Sequence, residues 1–336
     1  MSDITSMSNK LKSSINEIGK VVIGYEHIKR QAHLAILVDG HIILESVPGL
    51  AKTTLINALQ LAIADSTSGR IQMTPDLKPG DVLGFEVYNP KTGTFEIRKG
   101  PMIDSNLLLA DELNRATPKT GSAFLQAMQE RFITIGNEKF KLKDVFLVLA
   151  TMNPIEQEGT YSIPEAMLDR FCFKLNMGYL TEMEEFTILS NTKVHGREAG
   201  SLIQPVLSID DIIEMRKVVA AIRDNASTEI LRYITRLVRA TRPSDPRFAH
   251  VFADKLEEAK ELIAFGASPR ALIWTLHTAA ANAFVDGRDY ITPDDVKAVF
   301  PDVLRHRIIL TQTAQFDGYT TDAAIAEILA KTPVVE

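Results

Sequence analysis

The sequence predicts an α/β chain: a parallel sheet flanked by helices, followed by a smaller all-helical domain. Three observations carry this expectation. Apolar runs at His41-Ile42-Ile43-Leu44, Leu107-Leu108-Leu109-Ala110 and Val145-Phe146-Leu147-Val148-Leu149-Ala150 each stop abruptly at polar residues, as strands covered on both faces do. The first run leads through a tight turn into a helical-looking segment, Leu55-Ile56-Asn57-Ala58-Leu59. Beyond about residue 180 no apolar strand run recurs and helical spacing takes over.

A chain of 336 residues with 45% hydrophobic and 24% charged content is ample for two packed domains. With 37 basic against 43 acidic residues the net charge is −6, which argues against a dedicated nucleic-acid binder. The single cysteine, Cys172, excludes an intramolecular disulfide and a Cys-rich zinc site. Between Phe171 and Phe173 it reads as a small buried apolar side chain. No apolar run reaches the roughly 18 residues of a membrane span, and the N-terminus lacks a signal peptide's apolar region. A soluble cytoplasmic protein without a membrane span is expected.

The turn after the first strand reads Ser46-Val47-Pro48-Gly49-Leu50-Ala51-Lys52-Thr53-Thr54. Strand, tight turn, Lys-Thr and helix is the layout of a phosphate-binding loop. Backbone N–H groups at the helix start wrap a polyphosphate, Lys52 reaches its outer phosphates and the Thr53 hydroxyl holds Mg²⁺. Against the usual G-x-x-x-x-G-K-[ST] pattern, Ser46 and Ala51 replace the two glycines. Ala51 reads as a mild change, one methyl near a helix start. Ser46 is the less comfortable substitution if the backbone there needs positive φ. The competing reading is a Pro-Gly turn before a helix with a surface Lys.

The second run ends in Asp111-Glu112, at the carboxyl edge of a parallel sheet where ligands bind. One carboxylate near Mg²⁺ and another to orient and deprotonate a water are what phosphoryl chemistry needs there; Asp111 suits the first role and Glu112 the second. The third run ends in Thr151-Met152-Asn153-Pro154. The Asn153 amide suits a place beside a γ-phosphate, fixing the attacking water; otherwise Asn153-Pro154 simply starts a turn. A short helix begins at Pro164. Arg170 follows it, either as an arginine finger for a neighbouring subunit, as a cation complementing the helix dipole, or as an ion-pair partner of Asp169.

Two segments carry hairpin patterns. In residues 80–100, Val/Tyr and Phe/Ile alternations flank Asn89-Pro90-Lys91-Thr92-Gly93. Residues 131–143 turn at Gly136-Asn137. In the second half, Ser208-Ile209-Asp210-Asp211 is a capping box, Ile230, Ile234, Leu237 and Val238 have helical spacing, and Thr292-Pro293-Asp294-Asp295 starts a helix. Arg270 follows Pro269 at another helix start, where a cation opposes the dipole and favours a functional reading.

In this order, Val22-Ile23-Gly24, Val47-Pro48-Gly49-Leu50-Ala51-Lys52-Thr53, Leu109-Ala110-Asp111-Glu112-Leu113-Asn114-Arg115, Ala150-Thr151-Met152-Asn153-Pro154, Pro164-Glu165-Ala166-Met167-Leu168-Asp169-Arg170-Phe171 and Gly266-Ala267-Ser268-Pro269-Arg270-Ala271 resemble the MoxR family of AAA+ ATPases, from about residue 8 to residue 312. The resemblance implies a P-loop core with a parallel sheet and a smaller all-helical lid. It implies a Walker A loop at 46–53, a Walker B segment at 107–112, a sensor 1 at Asn153, an arginine finger at Arg170 and a sensor 2 at Arg270 that links nucleotide state to the domain angle. Val22, Ile23 and Gly24 match the segment lining the adenine, and Pro48 through Thr54 the phosphate cradle. Ser46 stands where the family has Gly. The expected division is a core at 1–185 with the two hairpins as family inserts, a lid at 186–315 and a tail at 316–336. The first hairpin is expected to face a ring pore.

The expected ligands are ATP or ADP with Mg²⁺. The expected function is an ATP-hydrolysing chaperone forming a homo-oligomeric, hexameric ring that remodels a partner, with no nucleic acid involved. The family implies partners bearing a von Willebrand factor A domain. The alternative is a nucleotide-gated assembly module with little hydrolysis. Glu112 separates the two, because a scaffold has no need of a base beside the metal carboxylate.

Overall fold

The computed structural model describes residues 2–47, 49–153, 161, 163–191, 199–252 and 262–335. They fall into two compact units. One holds Lys10–Phe171 and Leu175–Ile213; the other holds Met1–Asn9, Cys172–Lys174 and Glu214–Glu336.

The first unit is built on a five-stranded sheet. Its strands are β1 (Ile42–Ser46), β2 (Ser68–Gln72), β3 (Leu107–Asp111), β4 (Leu147–Met152) and β5 (Phe173–Met177), in the order β5-β1-β4-β3-β2. The pairs β1–β4, β4–β3 and β3–β2 are parallel. The three apolar runs are thus the three adjacent inner strands, and Leu107, Leu108 and Leu109 are fully buried. Continuous apolar sequence is what such double-sided burial requires. β2 is an edge strand whose sequence, Ser-Gly-Arg-Ile-Gln, alternates instead. Ile71 faces the core while Arg70 and Gln72 do not.

Helices α1 (Ser2–Gly19), α2 (Glu26–Leu37), α3 (Lys52–Ala62), α4 (Pro118–Glu130) and α5 (Glu182–Ser190) follow in chain order. α3 buries Leu55, Ile56, Ala58, Leu59 and Ala62, the apolar stripe that fixes the helix leaving the phosphate loop. α5 opens with a reciprocal cap between Thr181 and Glu184. Both expected hairpins are present. The first pairs Gly84–Asn89 with Thr94–Lys99 and the second pairs Phe132–Ile135 with Glu138–Lys141.

The second unit is helical: α6 (Ile209–Asp224) runs into it, then come α7 (Thr228–Arg239), α8 (Pro246–Val251), α9 (Pro269–Val285), α10 (Pro293–Leu304) and α11 (Thr321–Lys331). The Ser208–Asp211 capping box forms as the sequence predicts. A short antiparallel ribbon, Ile263–Phe265 with Ile309–Leu310, adds to the helices. These strands are too short to register as apolar runs. A fork from Arg288 to both oxygens of Asp295, at 2.6 and 2.7 Å, ties the end of α9 to the start of α10. The final helix starts one residue after its Thr320 cap and buries Ala324, Ile325 and Ile328. Cys172 is buried and makes no disulfide.

His33 of α2 is fully buried. Its Nδ1 donates to the Lys29 carbonyl at 2.8 Å, which leaves Nε2 to accept from the Ser14 hydroxyl at 3.0 Å. Burial pushes its pKa down to about 4, partly opposed by the backbone hydrogen bond. Between that value and the ordinary 6.5 the unfolded chain binds the extra proton, so acidification favours unfolding. This one group removes on the order of 3 kcal/mol of stability as pH falls from 6.5 to 4. Denaturant unfolding at a series of pH values checks it: His33→Gln must show a shallower decline than the parent.

Candidate functional site

The carboxyl ends of β1, β4 and β3 lie side by side because the strands are parallel and in near register. Leu44 pairs with Thr151, Ala110 with Ala150, and Asp111 with Gln72 of β2. Only β4 separates β1 from β3, so the start of the phosphate loop and Asp111 are two strand spacings apart, about 10 Å.

Ser46 is the last residue of β1 and is not among the residues with positive φ. The left-handed positions of the loop are Gly49 at φ +87 and Ala51 at φ +44. The expected strain is therefore reversed. Ser46 sits in ordinary extended backbone, and Ala51, which read as a mild change, carries a cost of about 1 kcal/mol relative to glycine. A Cβ placed on Gly49 meets nothing within 4 Å among the described residues, so the space beside the turn at Gly49 is open. The Ser46 hydroxyl is buried with no hydrogen-bond partner among the described residues.

Ala51 gives α3 no side-chain cap, and no acidic residue stands in its first turn. The Leu55 N–H to Ala51 carbonyl bond, 2.9 Å, closes the first turn, and the amides before it point out of the helix end. Lys52 and Thr54 are half-buried, Thr53 is exposed, and Leu50 is half-buried. An open turn, uncapped amides and a lysine fit a polyphosphate. Pro48 lies outside the described residues, as does Pro154.

Asp111 and Glu112 are joined through Thr151. The Thr151 hydroxyl, fully buried, donates to Asp111 Oδ1 at 2.7 Å and accepts the Glu112 backbone N–H at 2.9 Å. Arg70 Nη2 donates to Asp111 Oδ2 at 2.8 Å. Glu112 has φ +56, a left-handed turn that lifts its side chain off the strand line. Its Oε2 accepts from Gln72 Nε2 at 3.0 Å and Arg115 Nη1 at 2.8 Å. The guanidinium at Asp111 stands where a cation is wanted, and Arg70 is half-exposed, so a divalent metal can replace it. With Thr53 at the loop, the donor set is hard oxygen, which suits Mg²⁺.

Asn153 follows directly after β4 and is half-buried; its carbonyl accepts from Asn114 Nδ2 at 3.4 Å. Arg170 lies beyond the short helix Glu165–Leu168. Its Nε is buried without a partner, and no ion pair with Asp169 forms among the described residues. Val22 is buried, and Ile23 and Gly24 are half-buried. The Val22 carbonyl accepts from Lys29 Nζ at 3.2 Å. Gly24 has φ +69, and a Cβ there would come within 2.7 Å of Leu180 Cδ2 and Glu184 Oε1; the segment holds its place against the residues around α5 only as glycine. Arg270 belongs to the second unit, where its N–H donates to the Ser268 hydroxyl at 3.2 Å.

Known proteins share this chain's fold. Residues 41–173 match the family profile of the ATPase family associated with various cellular activities (AAA), and residues 256–328 match the AAA lid domain. Chaperone MoxR1 of Mycobacterium tuberculosis is 38% identical over 95% of this chain and 81% of its own length. The chain belongs to the MoxR family of AAA+ ATPases. YeaC of Bacillus subtilis is 40% identical over 96% of this chain and 95% of its own. A solved structure from Cytophaga hutchinsonii superposes with a TM-score of 0.88 at 40% identity, covering 99% of this chain and 97% of that one. As in other AAA+ proteins, the α/β core is accompanied by a helical lid.

The sequence reading of this MoxR-family chain did not single out Thr151, Arg70 or Gln72. Thr151 carried a signal: a hydroxyl at the end of an otherwise apolar strand, one residue past the Ala110 pairing level. Arg70 and Gln72 sit on the alternating edge strand that no apolar run marked. Replacing Thr151 by Val keeps the shape but leaves Asp111 Oδ1 and the Glu112 N–H unpaired. It should lower stability by about 1–3 kcal/mol, and Thr151→Ser by clearly less. Equal losses in thermal or chemical melts would show that the methyl, not the hydroxyl, matters there.

Proposed function

We propose that this MoxR-family chain hydrolyses ATP with Mg²⁺, works as a ring of identical subunits and remodels a partner protein complex. The observation that carries the proposal is the Thr151 bridge, which sets a metal-type carboxylate and a base-type carboxylate at one sheet edge beside the open loop. The amides at the start of α3 and Lys52 hold the triphosphate, while Val22, Ile23 and Gly24 bound its adenine. Thr53 and Asp111 would hold Mg²⁺, which when bound would supply positive charge against the triphosphate. Asn153 orients a water toward the γ-phosphorus. Glu112 takes the proton from that water: Oε2 is anchored by Gln72 and Arg115, and Oε1 carries neither of these bonds. The products are ADP and phosphate.

Ring assembly is supported by two features. Arg170 is half-buried with its Nε unpartnered among the described residues, and its guanidinium suits transition-state charge on a neighbour's nucleotide. Tyr179, Met183, Phe186 and Leu189 around α5 are 79%, 72%, 64% and 76% exposed, an apolar row at helical spacing that a second copy would cover. Arg270 of the lid is the candidate sensor 2. The first hairpin carries Phe85, Tyr88 and Phe95 in the open, with the Tyr88 and Phe95 rings 5.4 Å apart, which fits contact with a partner chain at the pore. By likeness to a relative named a chaperone, the client is a protein complex, and a von Willebrand factor A domain protein is the partner to seek. No helix among the described residues is long and apolar enough to cross a membrane, consistent with work in the cytoplasm.

One experiment separates this reading from a nucleotide-gated module. Nucleotide affinity and phosphate release are measured for the parent, Glu112→Gln and Arg170→Ala. Both variants should bind ATP within a few-fold of the parent. Release should fall about 10²–10⁴-fold for Glu112→Gln and on the order of 10³-fold or more for Arg170→Ala. Release from Glu112→Gln at the parental rate would favour the module, and an unaffected Arg170→Ala would remove the trans-acting arginine.

A further inference from the structure

Lys29 of α2 is fully buried, although a lysine ammonium is among the groups least readily taken out of water. Its Nζ donates to Glu26 Oε1 at 2.5 Å and to the Val22 carbonyl at 3.2 Å. Glu26 lies three residues back on the same helix with its side chain 76% exposed, so that carboxylate is solvated without a buried partner. The second bond leaves the helix. It reaches back to the connection between α1 and α2, where a Cβ on Gly19 would stand 3.3 Å from the same Nζ. The ammonium thus packs against the connection from inside.

Fold stability alone does not account for a charge in this place. A methionine would fill a similar length of space without one, and exchanging buried charged groups for apolar ones of similar volume is often neutral or stabilising. What the lysine adds is direction. Its charge-assisted bond turns the Val22 carbonyl toward the interior, while the Val22 N–H closes back on the Ile18 carbonyl at 2.9 Å. Both backbone groups of Val22 are then used. Those that follow are not: the N–H and carbonyl of Ile23 and the N–H of Gly24 make no hydrogen bond among the described residues, and both residues are half-buried. The other side of the segment is fixed independently. The Tyr25 hydroxyl donates to the Gly178 carbonyl at 2.9 Å, and Gly24 has no room for a Cβ against Leu180 and Glu184.

On the reading that residues 22–24 bound the adenine, we propose that Lys29 is a positioning residue for the base. By holding the Val22 carbonyl it presents the open donor and acceptor of Ile23, with the Gly24 N–H, as a short polar edge. Adenine carries its exocyclic amine beside a ring nitrogen, a donor next to an acceptor, and can pair with such an edge. Lys29 acts through Val22 and not on the nucleotide itself. The phosphate loop and Asp111 belong to other elements, so the effect of Lys29 falls on the base and leaves the phosphates alone.

The probes are ADP and inorganic pyrophosphate, titrated calorimetrically with Mg²⁺ into the full chain. They share the phosphates, differ by the adenosine and allow no turnover. In Lys29→Met, ADP binding should weaken about tenfold or more, as loss of a hydrogen bond to a charged group implies, while pyrophosphate stays within about twofold of the parent. Lys29→Gln, whose shorter side chain does not reach as far, should show the same split. Unchanged ADP binding in both variants overturns the proposal. So does an equal loss of ADP and pyrophosphate, which would assign Lys29 to the fold of the whole core. The adenine reading fails separately, and the role of Lys29 with it, if the parent binds pyrophosphate as tightly as ADP.

Discussion

The hydroxyl of Thr151 is the contact on which the candidate site depends. It is fully buried between two neighbouring strand ends, donating to Asp111 and accepting from the amide of Glu112. The first bond fixes the rotamer of one carboxylate. The second pins the backbone at the left-handed turn that aims the other. Without a central polar group here, two acidic residues at consecutive positions would point to opposite faces of the sheet and could not serve one ligand. The parallel order β5-β1-β4-β3-β2 makes the contact possible, because it puts the Thr151 strand between the phosphate loop and Asp111.

Backbone strain gathers at the same edge. Gly49, Ala51 and Glu112 all have positive φ, two of them without being glycine. Such conformations persist only where surrounding packing over-determines them. The buried stripe of α3 supplies that support at Ala51, and the side-chain bonds from Gln72 and Arg115 supply it at Glu112. Arg70 and Arg115 also place positive charge beside both carboxylates. The site is thus arranged for cations and anions together, which is the electrostatic character of a metal–triphosphate pair.

Much of this was legible in the sequence, for identifiable reasons. The inner strands β1, β3 and β4 are buried on both faces and announce themselves as apolar runs, so the positions of Lys52, Asp111, Glu112 and Asn153 along the chain followed. Helix starts at Ser208 and Thr292 were readable from cap chemistry, and the one at Pro269 from the proline in its first turn. β2 was not readable, since an edge strand alternates and this one begins Ser-Gly-Arg, and with it went Arg70 and Gln72. The relative discomfort of Ser46 and Ala51 was reversed, because motif position alone does not give φ.

The most direct measurement is a crystal structure of the chain with Mg²⁺ and a non-hydrolysable ATP analogue. The account predicts phosphates against the amides at the start of α3, the metal beside Asp111 and Thr53, Arg70 moved off Asp111, and the Thr151 bridge intact. A nucleotide bound elsewhere, or a metal held by other residues while Arg70 stays on Asp111, would contradict it.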